Sequence, residues 1–113
     1  MPFRSDDHPF TSEGILAVPA REQGVYGICV KGAGNDPNAG WLAWPDCWIY
    51  VGQGEIRTKL AEHLAGQGDQ ANCVWQNIAG AQLGVRFAFE VTSDGARRRD
   101  ELIAELRPAC NVP

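Results

Sequence analysis

The sequence predicts a small α/β domain of the α+β kind: a three-stranded, mainly antiparallel sheet flanked by helices. Three observations carry this expectation. The segment "VRFAFEVT" (85–92) alternates strictly, with Val85, Phe87, Phe89 and Val91 on one side and Arg86, Ala88 and Glu90 on the other, which is a half-buried strand. Two further apolar runs, "GVYGICVK" (24–31) and "CWIYVG" (47–52), are joined by a connection suited to antiparallel pairing. Helical periodicity then follows the second and third strands, giving the sheet helices to pack against.

Residues 1–21 read as an N-terminal lead-in, loose and polar over 1–10, and residues 22–113 as one domain. Within the lead-in, "TSEGILAVPA" allows one helical turn capped by Thr11 or Ser12, kept short by Gly14 and Pro19. In the first strand Tyr26, Ile28 and Val30 share a face, opposite Val25 and Cys29. "GAGNDPNAG" (32–40) is loop, dense in turn residues. The tryptophan-rich stretch 41–48 carries Trp41 and Trp44, which read as a hydrophobic lid over the sheet, with base stacking as the other use of such rings. The second strand is apolar on both faces and therefore buried. After a turn beyond Gly52, Ile56, Leu60, His63 and Leu64 define a helix that stops at Gly66. "ANCVWQNIAG" (71–80) is a short helix. Ser93 or Asp94 caps the last one, whose stripe is Leu102, Ile103 and Leu106 and whose end is set by Pro108.

A chain of 113 residues builds one core. Its longest apolar run falls short of the roughly 20 residues a membrane span needs, and "MPFRSDDHPF" lacks the pattern of a signal peptide, so a cytoplasmic protein without membrane contact is expected. Cys29, Cys47, Cys73 and Cys110 form no CxxC pair, which disfavours zinc; the apolar surroundings of the first three predict buried free thiols, a disulfide pair being the alternative in an oxidising compartment. A net charge of −4 argues against a surface that grips nucleic acid everywhere, while leaving room for a local cationic cleft.

Chemistry concentrates around "GVY" (24–26), "YVG" (50–52), the helix bearing Arg57, Lys59 and His63, and the closing Pro108-x-x-Asn111. Taken singly, each tyrosine is a sheet-edge residue, His63 a histidine at the rim of a core and Asn111 a turn former. In this order and combination they resemble the GIY-YIG nuclease domain family over residues 22–112. That resemblance implies a metal-dependent endonuclease hydrolysing DNA phosphodiesters with one Mg²⁺ or Mn²⁺. It casts Tyr26 as the base toward water, Tyr50 as a positioning group, and Lys59 and His63 as phosphate contacts. Arg57, Arg99 and Asn111 are the further nucleic-acid-binding candidates, and a protein partner or homodimer is a source of specificity.

Two positions depart from the family pattern. The phosphate arginine of the helix is Lys59, which keeps the charge but loses the planar fork. The metal-binding glutamate falls on Arg99, on the inward stripe of the last helix, with Asp100 and Glu101 turned from it by about 100° and 200°. If the helix is shifted, Asp100 or Glu101 turns inward, and Glu101 is then the candidate metal ligand. Otherwise the metal site is lost and the module binds nucleic acid or a protein without cutting. Three arginines in "ARRRDE" (96–101) at a helix start oppose its dipole, which favours an anionic partner.

Overall fold

The computed structural model describes Phe3 and residues 8–30, 47–78 and 84–111. The elements run β1 (His8–Pro9), α1 (Ser12–Ile15), β2 (Gln23–Val30), β3 (Cys47–Glu55), α2 (Ile56–Leu64), α3 (Ala71–Ile78), β4 (Val85–Val91) and α4 (Gly95–Leu106). The strands form one antiparallel sheet in the order β1-β4-β2-β3, an α+β fold with one strand more than expected. β2 lies between β3 and β4, and its two apolar faces are covered by α2 on one side and α4 on the other.

Each face of the sheet has its own core. On one side Tyr26, Ile28, Ile49, Tyr50 and Phe87 pack against Ile56 and Leu60 of α2 and Val74 of α3. On the other, Val25, Cys29, Trp48, Val51 and Ala88 lie under Leu102 of α4, with Ile103 and Leu106 beside it. A β-bulge opposite Ile28 and Cys29 separates Tyr50 from Trp48 in the pairing. Ile49 and Tyr50 therefore both serve the first core, while Trp48 and Val51 serve the second.

Several expectations change on folding. The lead-in is not loose: Phe3, Phe10, Ile15 and Val18 are all buried, and β1 pairs His8 with Phe87. Thr11 is the cap of α1, its Oγ1 accepting from the Gly14 N–H at 2.9 Å. No turn follows Gly52, since β3 continues through Glu55 directly into α2. The polar side of β4 is not solvated either. Ala88 is buried, and so is Glu90, which accepts from Arg98 Nε at 3.0 Å. Loop 32–40, Trp41, Trp44 and the side chain of Cys47 lie outside the described residues. Among the described residues no helix is long and apolar enough to cross a membrane.

The largest correction concerns the cysteines. Cys29 is a buried thiol outside any disulfide, but Cys73 and Cys110 form a disulfide. Its cause is tertiary. The chain after α4 runs along the outer edge of β3, where Ala109 N–H donates to the Trp48 carbonyl and Cys110 N–H to the Ile49 carbonyl. That course brings Cys110 beneath α3, with its Cα 5.8 Å from that of Cys73. Asn111 completes the edge by accepting from Val51 N–H (2.7 Å) and donating to the Val51 carbonyl (2.9 Å). Over residues 48–51 a sheet edge that would otherwise present unpaired backbone groups is thereby covered.

The bond spans a sequence separation of 37 residues. Replacing Cys73 and Cys110 together by alanine is expected to lower the unfolding free energy by about 4 kcal/mol on the loop-closure relation. Urea unfolding without reductant measures it, and wild type treated with thiol should approach the variant.

Candidate functional site

Across β2 and β3, Tyr26 stands opposite Gly52. A Cβ at Gly52 would run into Tyr26 Oη and lie 2.6 Å from its Cζ and 2.8 Å from Tyr50 Cε2. The glycine of "YVG" is thus the space in which the tyrosine of "GVY" sits. Tyr50, two residues before Gly52, emerges on the same face, its ring centroid 6.1 Å from that of Tyr26. His63 arrives from α2, 5.6 Å from Tyr26 and 4.9 Å from Tyr50 by ring centroids. The three aromatic residues of the sequence motifs therefore converge.

The cluster is closed. Tyr26 is 2% exposed, Tyr50 3% and His63 2%. Tyr26 Oη and His63 Nε2 share a hydrogen bond of 2.8 Å, while His63 Nδ1 is buried without a partner. Burial lowers the His63 pKa, Lys59 lowers it further, and the Glu62 and Asp69 carboxylates only partly oppose this. The imidazole is therefore neutral at pH 7. Burial likewise raises the Tyr26 pKa well above the usual phenol range, aided by Tyr50, Asp69 and Glu62 and opposed by Arg99. In Tyr50 burial again dominates, followed by the hydrogen bond and the charge of Asp69, with Arg99 opposing. Both phenols are held neutral, Tyr50 as a donor to Asp69, which is the wrong state for a general base.

Two residues complete the corner from opposite layers. Tyr50 Oη donates to Asp69 Oδ2 at 2.7 Å. Arg99, half-buried on the inward stripe of α4, stands close enough for its positive charge to oppose the rise in pKa of both tyrosines. Its inward position was readable from the helical stripe. Asp69 was not: within "GQGDQ" it reads as an ordinary turn residue, and no periodicity marks it.

The remaining candidates divide. Lys59 lies one turn before His63, its stem passing over Gly54, where a Cβ would sit 3.1 Å from Lys59 Cε. Arg57 is directed elsewhere, donating through Nη2 to the Val18 carbonyl at 2.6 Å and the Leu16 carbonyl at 3.2 Å. Asn111 spends both ends of its amide on Val51. Glu101, the candidate metal ligand, is exposed and pairs with Arg97 at 3.6 Å; Asp100 is exposed as well. Their positions follow from the 100° step of a helix whose inward stripe contains Arg99 and Leu102.

These side chains do not fit a hard divalent cation. Such an ion needs a set of oxygen ligands and a site free of fixed positive charge. Here a guanidinium stands at the expected carboxylate position, and Asp69 already accepts from Tyr50. Among the described residues no three His, Cys, Asp or Glu side chains are grouped to hold a metal. No family model matches the chain, and neither the curated proteins nor the solved structures yield a match.

Two outcomes follow from this geometry. Gly52→Ala is expected to destabilise the fold by about 1–3 kcal/mol through overpacking against Tyr26, read as a lowered urea midpoint. The pH response has two limbs. Because the folded pKa of His63 is depressed, its contribution is full above the unfolded value of about 6.5 and is lost as pH falls through the folded value. Because the tyrosine values are raised, theirs is full below about 10 and is lost as pH rises above it. Thermal melts across pH should show both limbs, with His63→Gln losing part of the acid one. Phenolate absorbance should rise only together with alkaline unfolding.

Proposed function

We propose that the chain is a GIY-YIG-like module that binds a phosphodiester of nucleic acid, DNA first, and does not hydrolyse it. The observation carrying this reading is Arg99, whose guanidinium acts on both motif tyrosines where the family would have a metal-binding glutamate. A guanidinium presents a planar fork suited to phosphate oxygens, and neutral phenols donate rather than abstract protons. Lys59 adds positive charge beside His63. Metal-dependent hydrolysis, with Mg²⁺ or Mn²⁺, would require a cation beside that guanidinium. The cytoplasmic location expected from the sequence belongs to this reading, and there the Cys73–Cys110 bond faces reducing conditions.

With a net charge of −4, binding should be weak and strongly salt-dependent. Anisotropy of a labelled oligodeoxynucleotide should show affinity falling with salt, and Arg99→Gln should cost about 10-fold or more, the worth of one charge-assisted hydrogen bond. Supercoiled DNA incubated with the protein and Mg²⁺ or Mn²⁺ should stay intact. Metal-dependent nicking that disappears in Tyr26→Phe would overturn the proposal in favour of an active nuclease.

A further inference from the structure

The tyrosine–arginine corner is covered by the connection between α2 and α3, and that cover has an unusual construction. Segment 65–70 is exposed throughout, yet it closes over a cluster that is almost wholly buried. Three of its residues hold left-handed backbone: Gly66 (φ 78°), Gly68 (φ 90°) and Gln70 (φ 57°). Gly68 rests on the imidazole, where a Cβ would lie 3.3 Å from both Nδ1 and Cε1 of His63. Asp69, the next residue, delivers its carboxylate to Tyr50 Oη at 2.7 Å.

The segment thus seals His63 with a glycine that answers none of its polar atoms, and Nδ1 is left without a partner. A buried unpaired polar atom penalises the closed arrangement and is relieved by water once the cover lifts. Against that penalty stands the hydrogen bond from Tyr50 to Asp69, with the positive charge of Arg99 acting on the same tyrosine. The carboxylate is an oxyanion resting on a phenol donor beside a guanidinium, which are the groups a phosphate oxygen would use.

We infer that Asp69 is a built-in occupant of the anion position, a specificity-determining carboxylate that a phosphate oxyanion must displace by lifting segment 65–70. The inference rests on the reading of the Tyr50–Arg99 corner as a phosphate site. Ligands with a single weak negative charge cannot compete with the tethered carboxylate, whereas a phosphodiester strand can. A phosphodiester and a free phosphate share this chemistry, and separate arms of the test distinguish them.

The test compares wild type, Asp69→Asn, Arg99→Gln and the off-site control Glu105→Gln, with a labelled oligodeoxynucleotide and inorganic phosphate as separate probes. Asn keeps an acceptor for Tyr50 while removing the competing charge. Asp69→Asn should bind the oligonucleotide about tenfold tighter than wild type, the scale of one close like-charge contact. Glu105→Gln, with the same change of net charge on the exposed side of α4, should move affinity less than twofold. In wild type, saturating oligonucleotide should speed amide hydrogen exchange in segment 65–70. If only inorganic phosphate produces these effects, the corner takes free phosphate and the nucleic-acid reading fails while Asp69 keeps its role. If Arg99→Gln abolishes binding but Asp69→Asn leaves affinity unchanged or weaker, the role of Asp69 is overturned and the phosphate site stands. Absence of binding to either probe by every variant overturns both.

Discussion

The close approach of Tyr26 to Gly52 across the β2–β3 pair is the constraint on which the rest of the site depends. Only a residue without a side chain admits the tyrosine ring at that register position. With the ring seated there, Oη is within reach of His63 on α2, and Tyr50 comes to lie beside both. The same register requires β3 to run without interruption through Glu55 into α2, which sets how far Lys59 and His63 stand from the sheet. A shift of one residue would turn both tyrosines to the α4 side.

The arginine run shows how one helix can sort like charges. Successive residues step by about 100°, so Arg97, Arg98 and Arg99 leave α4 in three directions. Arg97 pairs with Asp94 and Glu101 at the surface, Arg98 satisfies the buried Glu90, and Arg99 reaches the tyrosine corner. Unfavourable placement near the helix start is offset by these separate partners. Local field rather than net charge therefore governs the corner, and the excess of acidic residues over basic ones in the whole chain does not describe it.

The outer edge of β3 is held by the tail. Backbone bonds from Ala109 and Cys110 and the Asn111 amide converge on residues 48–51, and the disulfide ties the same tail to α3. Tyr50 lies among them, so its position is anchored from the edge as well as from β2. Asn111 belongs to this support and does not offer its amide to a ligand.

Strand and helix identities were legible because period-2 and period-3.6 patterns reflect burial directly: β4, α2 and the Leu102–Leu106 stripe all declare themselves. The tyrosine pair and the inward place of Arg99 were legible for the same reason, since motif order and helical phase locate them without coordinates. What the chain alone could not display were relations between distant segments. The pairing of Cys73 with Cys110, the burial of Glu90 against Arg98 and the diversion of Arg57 to the carbonyls of Leu16 and Val18, just after α1, each depend on which elements meet. Asp69 is the sharpest case. Its sequence surroundings specify a turn, and only the packing of that turn onto His63 sets its carboxylate against Tyr50, because hydrogen bonds are decided by distance in space rather than along the chain.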